Sequence, residues 1–208
     1  MASLDIVIVN WNTGGQLGEC LASIPAAIDG SFDLSRIVVV DNASSDGSAD
    51  AEAPPGLPLE IVHNEQNRGF AAACNRGARD SRADLVLFLN PDTRLEADSL
   101  SVPVAFMGSE AGERTAVAGI MLLDERGEPN RACARFPTPR LLLNRMLGLD
   151  RLLPRLFPGY RLSGWDHRES RRVDQVTGAF FLARREPFEA SGGFDERFFV
   201  YICLLYTS

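Results

Sequence analysis

No stretch of this 208-residue chain reaches the roughly 18 consecutive apolar residues that a membrane-crossing helix requires. The N-terminus lacks the basic-then-apolar layout of a secretory signal. Cysteine is scarce and unpaired. Cys20, Cys74, Cys133 and Cys203 form neither a CxxC unit nor a paired framework, so they read as reduced and mostly buried, as in a cytosolic chain. Excess positive charge is missing too. A net charge of −7 argues against a protein that grips nucleic acid by its backbone, which needs clustered cations. It leaves room for a small anion held at a helix N-terminus or through a bound cation. Of the two histidines, His63 reads as a packed or capping imidazole at a strand end, and His167 has no metal-spaced partner.

What is present is a core of ordinary size, with 45% hydrophobic residues in a length that makes one domain the default. Short β-branched runs at 4–10, 36–41, 59–64 and 84–90 have the length and bulk of buried strands. Helix-like segments at about 15–27, 45–52 and 69–81 lie between them. That alternation predicts an α/β fold, a mostly parallel sheet with right-handed crossovers and helices on both faces. Phe180-Phe181 fits alternate burial in a further strand.

Sheets of this kind bind ligands at the carboxyl ends of their strands. Four successive strand ends here deliver Asn or Asp: Asn10 to Thr13, Asp41 to Ser48, Asn64 to Gly69, and Asn90 to Thr93. Any one of these residues has an ordinary use as a cap or turn former, Ser45 and Asp46 included. All four loops on one edge point to a cleft. Asp41 sits where a carboxylate can accept hydrogen bonds from a base or ribose. Asn67-Arg68-Gly69 opens a helix whose amides, with the guanidinium, suit a phosphate. Trp11 either stacks on a base or is buried beside the first strand. Asp92 follows Pro91 and either shapes a turn before a helix near Glu96 or holds a hard cation such as Mg2+ or Mn2+ beside a diphosphate.

The segments IVIVNWNTGGQL, VVVDNASSDGS, NEQNRGFAAACNRGARDS, LVLFLNPDTRL, VTGAFFLARREPF and GGFDERFF resemble, in order and spacing, the family 2 glycosyltransferases of GT-A fold, especially bacterial rhamnosyltransferases. The resemblance runs from Leu4 to Tyr201. It implies transfer of a sugar, such as rhamnose, from a UDP- or dTDP-linked donor to a saccharide or lipid-linked acceptor with inversion, in cell-surface polysaccharide or glycolipid synthesis. It further implies a cytoplasmic chain, peripheral on the inner face of the membrane. Carried over by motif, Asn10, Asn12, Asp41 and Asn42 surround base and ribose, Arg68 and Gly69 line the donor pocket, and Asn90 and Asp92 stand for the usual Asp-x-Asp, with Asp92 the metal ligand. Gly178 and Ala179 resemble the acceptor-side strand, and Asp195 and Glu196 the acidic pair that borders the acceptor. The family's base normally follows the aromatic cluster, where this sequence reads Ile202-Cys203. The expectation is therefore a GT-A catalytic domain over 1–201, incomplete at its C-terminus, with a non-native tail at 202–208. Asp195 is then the substitute base, or the chain is an inactive sugar-nucleotide-binding fragment.

Two features remain. Residues 136–170 carry leucines at mixed three and four spacings among arginines, reading as a basic amphipathic helix broken by Pro154 that either rests on an anionic membrane or packs on the sheet as a lid. Thr13-Gly14-Gly15-Gln16-Leu17-Gly18, with Asp41 beyond it, offers a rival: an NAD-dependent oxidoreductase with a degenerate Rossmann fingerprint.

Overall fold

The computed structural model describes residues 1–130, 133–153, 155–157, 159–160, 162, 165–166 and 168–199. They fall in two units: Met1–Ala118 together with the segment from Gly178 onward, and Gly119–Thr177. In chain order the strands are β1 (Ser3–Asn10), β2 (Asp33–Asp41), β3 (Leu59–His63), β4 (Leu85–Leu89), β5 (Val117–Ala118), β6 (Leu122–Leu123), β7 (Pro129–Asn130) and β8 (Phe180–Arg184). The helices are α1 (Gln16–Ser23), α2 (Phe70–Ala78), α3 (Ser101–Gly108), α4 (Pro139–Met146), α5 (Leu149–Leu152) and α6 (Arg185–Ala190).

The first unit is built on a six-stranded sheet of order β3-β2-β1-β4-β8-β5. Strands β1 to β4 are parallel to one another, whereas β8 runs antiparallel to both β4 and β5. The apolar runs of β1, β2 and β4 behave as buried parallel strands should, because successive side chains enter opposite layers, whereas β3, expected to be a buried strand, lies at the sheet edge and buries none of its five residues. Val7, Val9, Val38, Val40, Val86 and Phe88 form one layer with Ala71, Ala73 and Cys74 of α2. Ile6, Ile8, Ile37, Val39 and Leu87, the alternate residues, are equally buried. Each such Val, Leu or Ile contributes about 1.5–3 kcal/mol relative to exposure. Arg184 closes the far edge, donating to the carbonyls of Met107, Gly112 and Thr115 at 2.5–3.1 Å.

The second unit holds the β6–β7 hairpin, turned around Asp124, whose Oδ1 accepts from the amides of Arg126 and Glu128 at 2.9 Å. Thr138 caps α4, its Oγ1 accepting from Leu141 N, with Pro139 at the first helical position. The tyrosine hydroxyl of Tyr160 donates to Gln175 at 2.6 Å. Among the described residues no helix is long and apolar enough to cross a membrane.

Two expected elements differ. The helix at 45–52 is a single 3-10 turn, Ser48–Asp50, because Asp46 accepts from Ser48 N in a local side-chain turn and Pro54-Pro55 stops propagation. The amphipathic helix breaks at Gly148, with φ of 68°, between α4 and α5. Pro154 and His167 lie outside the described residues, as do Tyr201, Ile202, Cys203 and the whole 202–208 segment.

Candidate functional site

The carboxyl ends of β1, β2, β3 and β4 lie side by side, so their loops share one edge. Beneath that edge is a hydrogen-bonded polar layer. Asn10 is fully buried, and its Nδ2 donates to Asp41 Oδ1 at 3.0 Å, Ser48 Oγ at 2.9 Å and Ser44 Oγ at 3.2 Å, while its Oδ1 accepts from Thr13 Oγ1 at 2.5 Å. Asp41 also accepts from Ser44 N at 3.2 Å and faces His63 Nδ1 at 3.5 Å. Burial pushes the Asp41 carboxyl up, but the hydrogen bonds from Ser44, Asn10 and His63 outweigh it and hold the group below its ordinary range. His63 is exposed, so of the packed or capping roles expected from the sequence the packed one is excluded, and its Nδ1 faces Asp41 at the surface.

Asn42 ties its loop to the one between β3 and α2. Its Nδ2 donates to Asn67 Oδ1 at 2.9 Å and Gly69 O at 3.3 Å, and its Oδ1 accepts from Asn64 Nδ2 at 2.8 Å and Arg68 N at 3.1 Å. Asn12, held at φ of 51°, which asparagine tolerates, accepts from Ser45 N at 2.8 Å. Asn10, Asp41 and Asn42 were expected to surround a base and ribose. They form the floor of the cleft, each at most 4% exposed and bonded to the others' loops. Standing above them and exposed are Trp11, Asn12, Arg68 and Asp92. Trp11, 54% exposed, is thus free of the core and open to stacking.

Two of the amides that open α2 are already committed. Gly69 N donates to Asn67 Oδ1 at 2.9 Å and Phe70 N to Phe199 O at 2.8 Å. A Cβ on Gly69 would stand 2.6 Å from Phe199 O, so only glycine admits that approach. The guanidinium of Arg68, exposed and in no ion pair among the described residues, is one group that this loop offers a phosphate.

Asn90, Pro91, Asp92 and Thr93 make a tight turn in which Thr93 Oγ1 donates to Asn90 O at 2.7 Å. The next long helix, α3, begins only at Ser101, so Asp92 is not its cap. Beneath the turn, burial pushes the Cys20 thiol up to about 11, and Cys20 Sγ lies 3.7 Å from Asn90 O. Among the described residues no three His, Cys, Asp or Glu gather to form a metal cage. One exposed carboxylate beside an amide still suits a hard cation that takes its other ligands from phosphate and water. Because β8 pairs antiparallel with β4, Ala179 O accepts from Asn90 N at 3.0 Å, which sets Gly178 and Ala179 beside the Asp92 turn.

Asp195 and Glu196 are positioned by an aromatic anchor and by Asn75. Phe194 is buried among Phe88, Phe188 and Phe181, with ring centroids 4.7–5.6 Å apart. Asn75, on α2, donates Nδ2 to Phe194 O at 2.9 Å and Glu196 Oε1 at 3.0 Å, and accepts from Phe194 N at 2.9 Å. A Cβ on Gly193 would meet Asn75 Oδ1 at 2.6 Å, and the φ of 77° there is itself left-handed. Sequence reasoning passed over Asn75. Its only signal was a polar residue inside an alanine-rich helix. Asp195 is gripped by Arg197, whose Nη2 donates at 2.5 Å and Nε at 2.9 Å, and these bonds hold its carboxyl below the usual range.

Residues 5–149 match the family described as Glycosyl transferase family 2. The chain belongs to that family. Among curated proteins, it is 26% identical over 216 residues to an N-acetylglucosaminyl-diphospho-decaprenol L-rhamnosyltransferase of Mycobacterium tuberculosis, covering 96% of this chain and 67% of that one. Among solved structures, it is similar to the mannosyltransferase PcManGT from Pyrobaculum calidifontis in complex with GDP-Man and Mn2+, at TM-score 0.60 and 20% identity over 93% of this chain. It is likewise similar to GalNAc-T7 with UDP, GalNAc and Mn2+, at TM-score 0.62 and 17% identity over 97% of this chain. The chain spans 47% and 38% of those two structures' lengths. The fold is thus the GT-A fold of this glycosyltransferase family. The oxidoreductase alternative fails on the same ground and on geometry: β8 is antiparallel, and the Gly14 amide is occupied by Asp46 Oδ2 at 2.8 Å where a pyrophosphate would need it.

Proposed function

We propose that this chain is the donor-binding part, with much of the acceptor side, of an inverting glycosyltransferase. It would move a sugar, rhamnose by analogy with its mycobacterial relative, from a UDP- or dTDP-linked donor to a hydroxyl of a saccharide or lipid-linked acceptor at the cytoplasmic face of a membrane. The observation that carries this reading is the set of exposed Asn12, Arg68 and Asp92 over the bonded Asn10–Asp41–Asn42 floor, at the carboxyl edge of one parallel sheet. The rigid floor fixes the loops before a ligand arrives, which lowers the ordering cost of binding.

Asp92, with the side-chain oxygen of Asn90, would hold Mg2+ or Mn2+. When bound, such an ion neutralises the charge that develops on the departing diphosphate. Arg68 would add fixed positive charge to the donor's phosphates. The acceptor hydroxyl must lose its proton to a base within hydrogen-bond reach. Asp195 is the described carboxylate proposed for that role, and Arg197 must release it first, because a carboxylate whose pKa an ion pair lowers is a weaker proton acceptor. That ion pair is also what favours a second reading, a chain that binds nucleotide sugar without turnover.

Calorimetric titration of UDP, dTDP and GDP with and without Mn2+ tests the proposal. Metal-dependent binding is expected, and Asp92→Asn should weaken its metal-dependent part roughly tenfold or more while leaving Tm unchanged. Metal-independent binding of NAD in place of these nucleotides would overturn it. Release of diphosphate from nucleotide sugars then separates transfer from binding alone.

A further inference from the structure

Charge is divided unevenly along this chain. Every cation is arginine, and residues 131–172 hold ten of the 21 against three of the 28 acidic residues, a net of +7 that leaves −14 for the remainder. Within that stretch neither α4 nor α5 buries a single residue. Seven of the fifteen large apolar side chains exposed on the described residues lie between Leu142 and Leu156, among them Met146 at 84% and Leu152 at 75%. Scattered exposed leucines are ordinary; a run of this density is an interaction surface. Arg140, Arg145, Arg151 and Arg155 are interleaved with them and exposed, and among the described residues none of the four is in an ion pair.

We propose that α4 and α5 form an in-plane docking element for an anionic lipid bilayer. Met146, Leu147, Leu152 and Leu156 enter the boundary between headgroups and acyl chains, and the arginines lay their stems along that boundary and bond lipid phosphates. Charge complementarity selects this occupant. A second copy of the chain meeting the same face across a two-fold axis would set Arg140, Arg145, Arg151 and Arg155 against the same four cations. A neutral apolar groove would leave the arginines with nothing to pair. A bilayer carrying phosphate anions over hydrocarbon satisfies both halves of the surface at once. The inference deepens the sugar-transfer reading and rests on it for purpose, since a lipid-linked acceptor is presented at such a surface.

Flotation of the full chain with vesicles provides the test. The chain should float with phosphatidylcholine vesicles containing phosphatidylglycerol, stay behind with phosphatidylcholine alone, and dissociate as salt rises. Arg145→Gln combined with Arg151→Gln should lower the partition coefficient roughly thirtyfold. Met146→Ser combined with Leu152→Ser should lower it roughly tenfold or more. Metal-dependent UDP or dTDP binding, measured on the same samples, should be unchanged in both variants. Failure to float with nucleotide binding intact overturns the docking element and spares the transferase reading; flotation without nucleotide binding does the reverse. Equal flotation on neutral vesicles would also sink the proposal, as would self-association abolished by the Met146 and Leu152 substitutions.

Discussion

The segments Met1–Ala118 and Gly178 onward supply all but two of the buried apolar side chains, whereas Gly119–Thr177 supplies only Ala134 and Leu162 among the described residues. Both units are rich in leucine, so apolar content alone does not separate them. Direction does. In the first unit the leucines and valines alternate into two covered layers, and its polar residues are driven to the strand ends, where they can be satisfied only by one another. In the second unit the leucines of α4 and α5 face out beside arginines. A region that spends its apolar surface on a core can hold a ligand in a fixed geometry, and one that leaves it exposed is suited to meeting another surface.

The most severe way to break this contrast is to open the polar floor. Asn42→Ala removes four hydrogen bonds at a site 2% exposed and leaves the Asn64 side chain and the Arg68 amide without their acceptor. At about 1–3 kcal/mol for each buried group so orphaned, the unfolding free energy in urea should fall by about 3 kcal/mol or more, and nucleotide binding with it. A loss under about 1 kcal/mol would mean that the floor is solvated and the first unit is not preorganised.

A smaller loss is expected at the acceptor border. Asn75→Ala deletes the three bonds that hold Phe194 and Glu196, but the Phe194 ring keeps its aromatic contacts, so about 1–2 kcal/mol is the expected cost. Hydrogen exchange should quicken over 193–197 and not over β1 or β2. Uniform acceleration would show Asn75 to be a general stabiliser and not a positioning residue of that loop.

Much of this was legible beforehand. The β1, β2 and β4 runs are continuously apolar, as strands covered on both faces are, and with the β3 run they placed Asn10, Asp41, Asn64 and Asp92 at one edge; that β3 is an edge strand with no buried residue was not legible. What periodicity does not encode is which atoms are already taken. Asp41 and the amides at Gly69 and Phe70 looked available to a ligand, yet the first is saturated by Asn10 and Ser44 and the others by Asn67 and Phe199, a partner 129 residues on in the chain from Phe70. The antiparallel insertion of β8 was equally hidden, since an apolar strand reads the same in either direction. The sequence signalled a break at Pro154 and not the one at Gly148, because a left-handed glycine ends a helix without altering its hydrophobic period.

Acid should act on the first unit. Asp41, Asp46, Asp84 and Asp195 all have carboxyls held below their ordinary range, Asp41 by hydrogen bonds that outweigh its burial and the others chiefly by hydrogen bonds from Ser48, Ser3 and Arg197. A folded pKa below the unfolded one gives stability that is complete above the unfolded value, about 3.9, and is lost as pH falls through the folded value. Thermal melts should therefore be flat above about pH 5 and decline below about pH 4. Asp41→Asn should shallow that decline. An unchanged slope would assign the acid sensitivity to the other lowered carboxyls, Asp29 among them.

The smallest effect is the sharpest probe of the second unit. Met146→Ala removes a side chain that in a core would cost about 2–5 kcal/mol, through lost transfer energy and the cavity left behind. At Met146, 84% exposed on a helix with no buried residue, neither contribution exists, and the change in urea-unfolding free energy should stay within about 0.5 kcal/mol. Alanine's better helix propensity pushes slightly the other way, so a marginal gain is compatible with an outward-facing α4. A loss above about 1 kcal/mol would show that this methionine is covered by protein in solution, which would erase the distinction between a unit that buries its apolar residues and one that presents them.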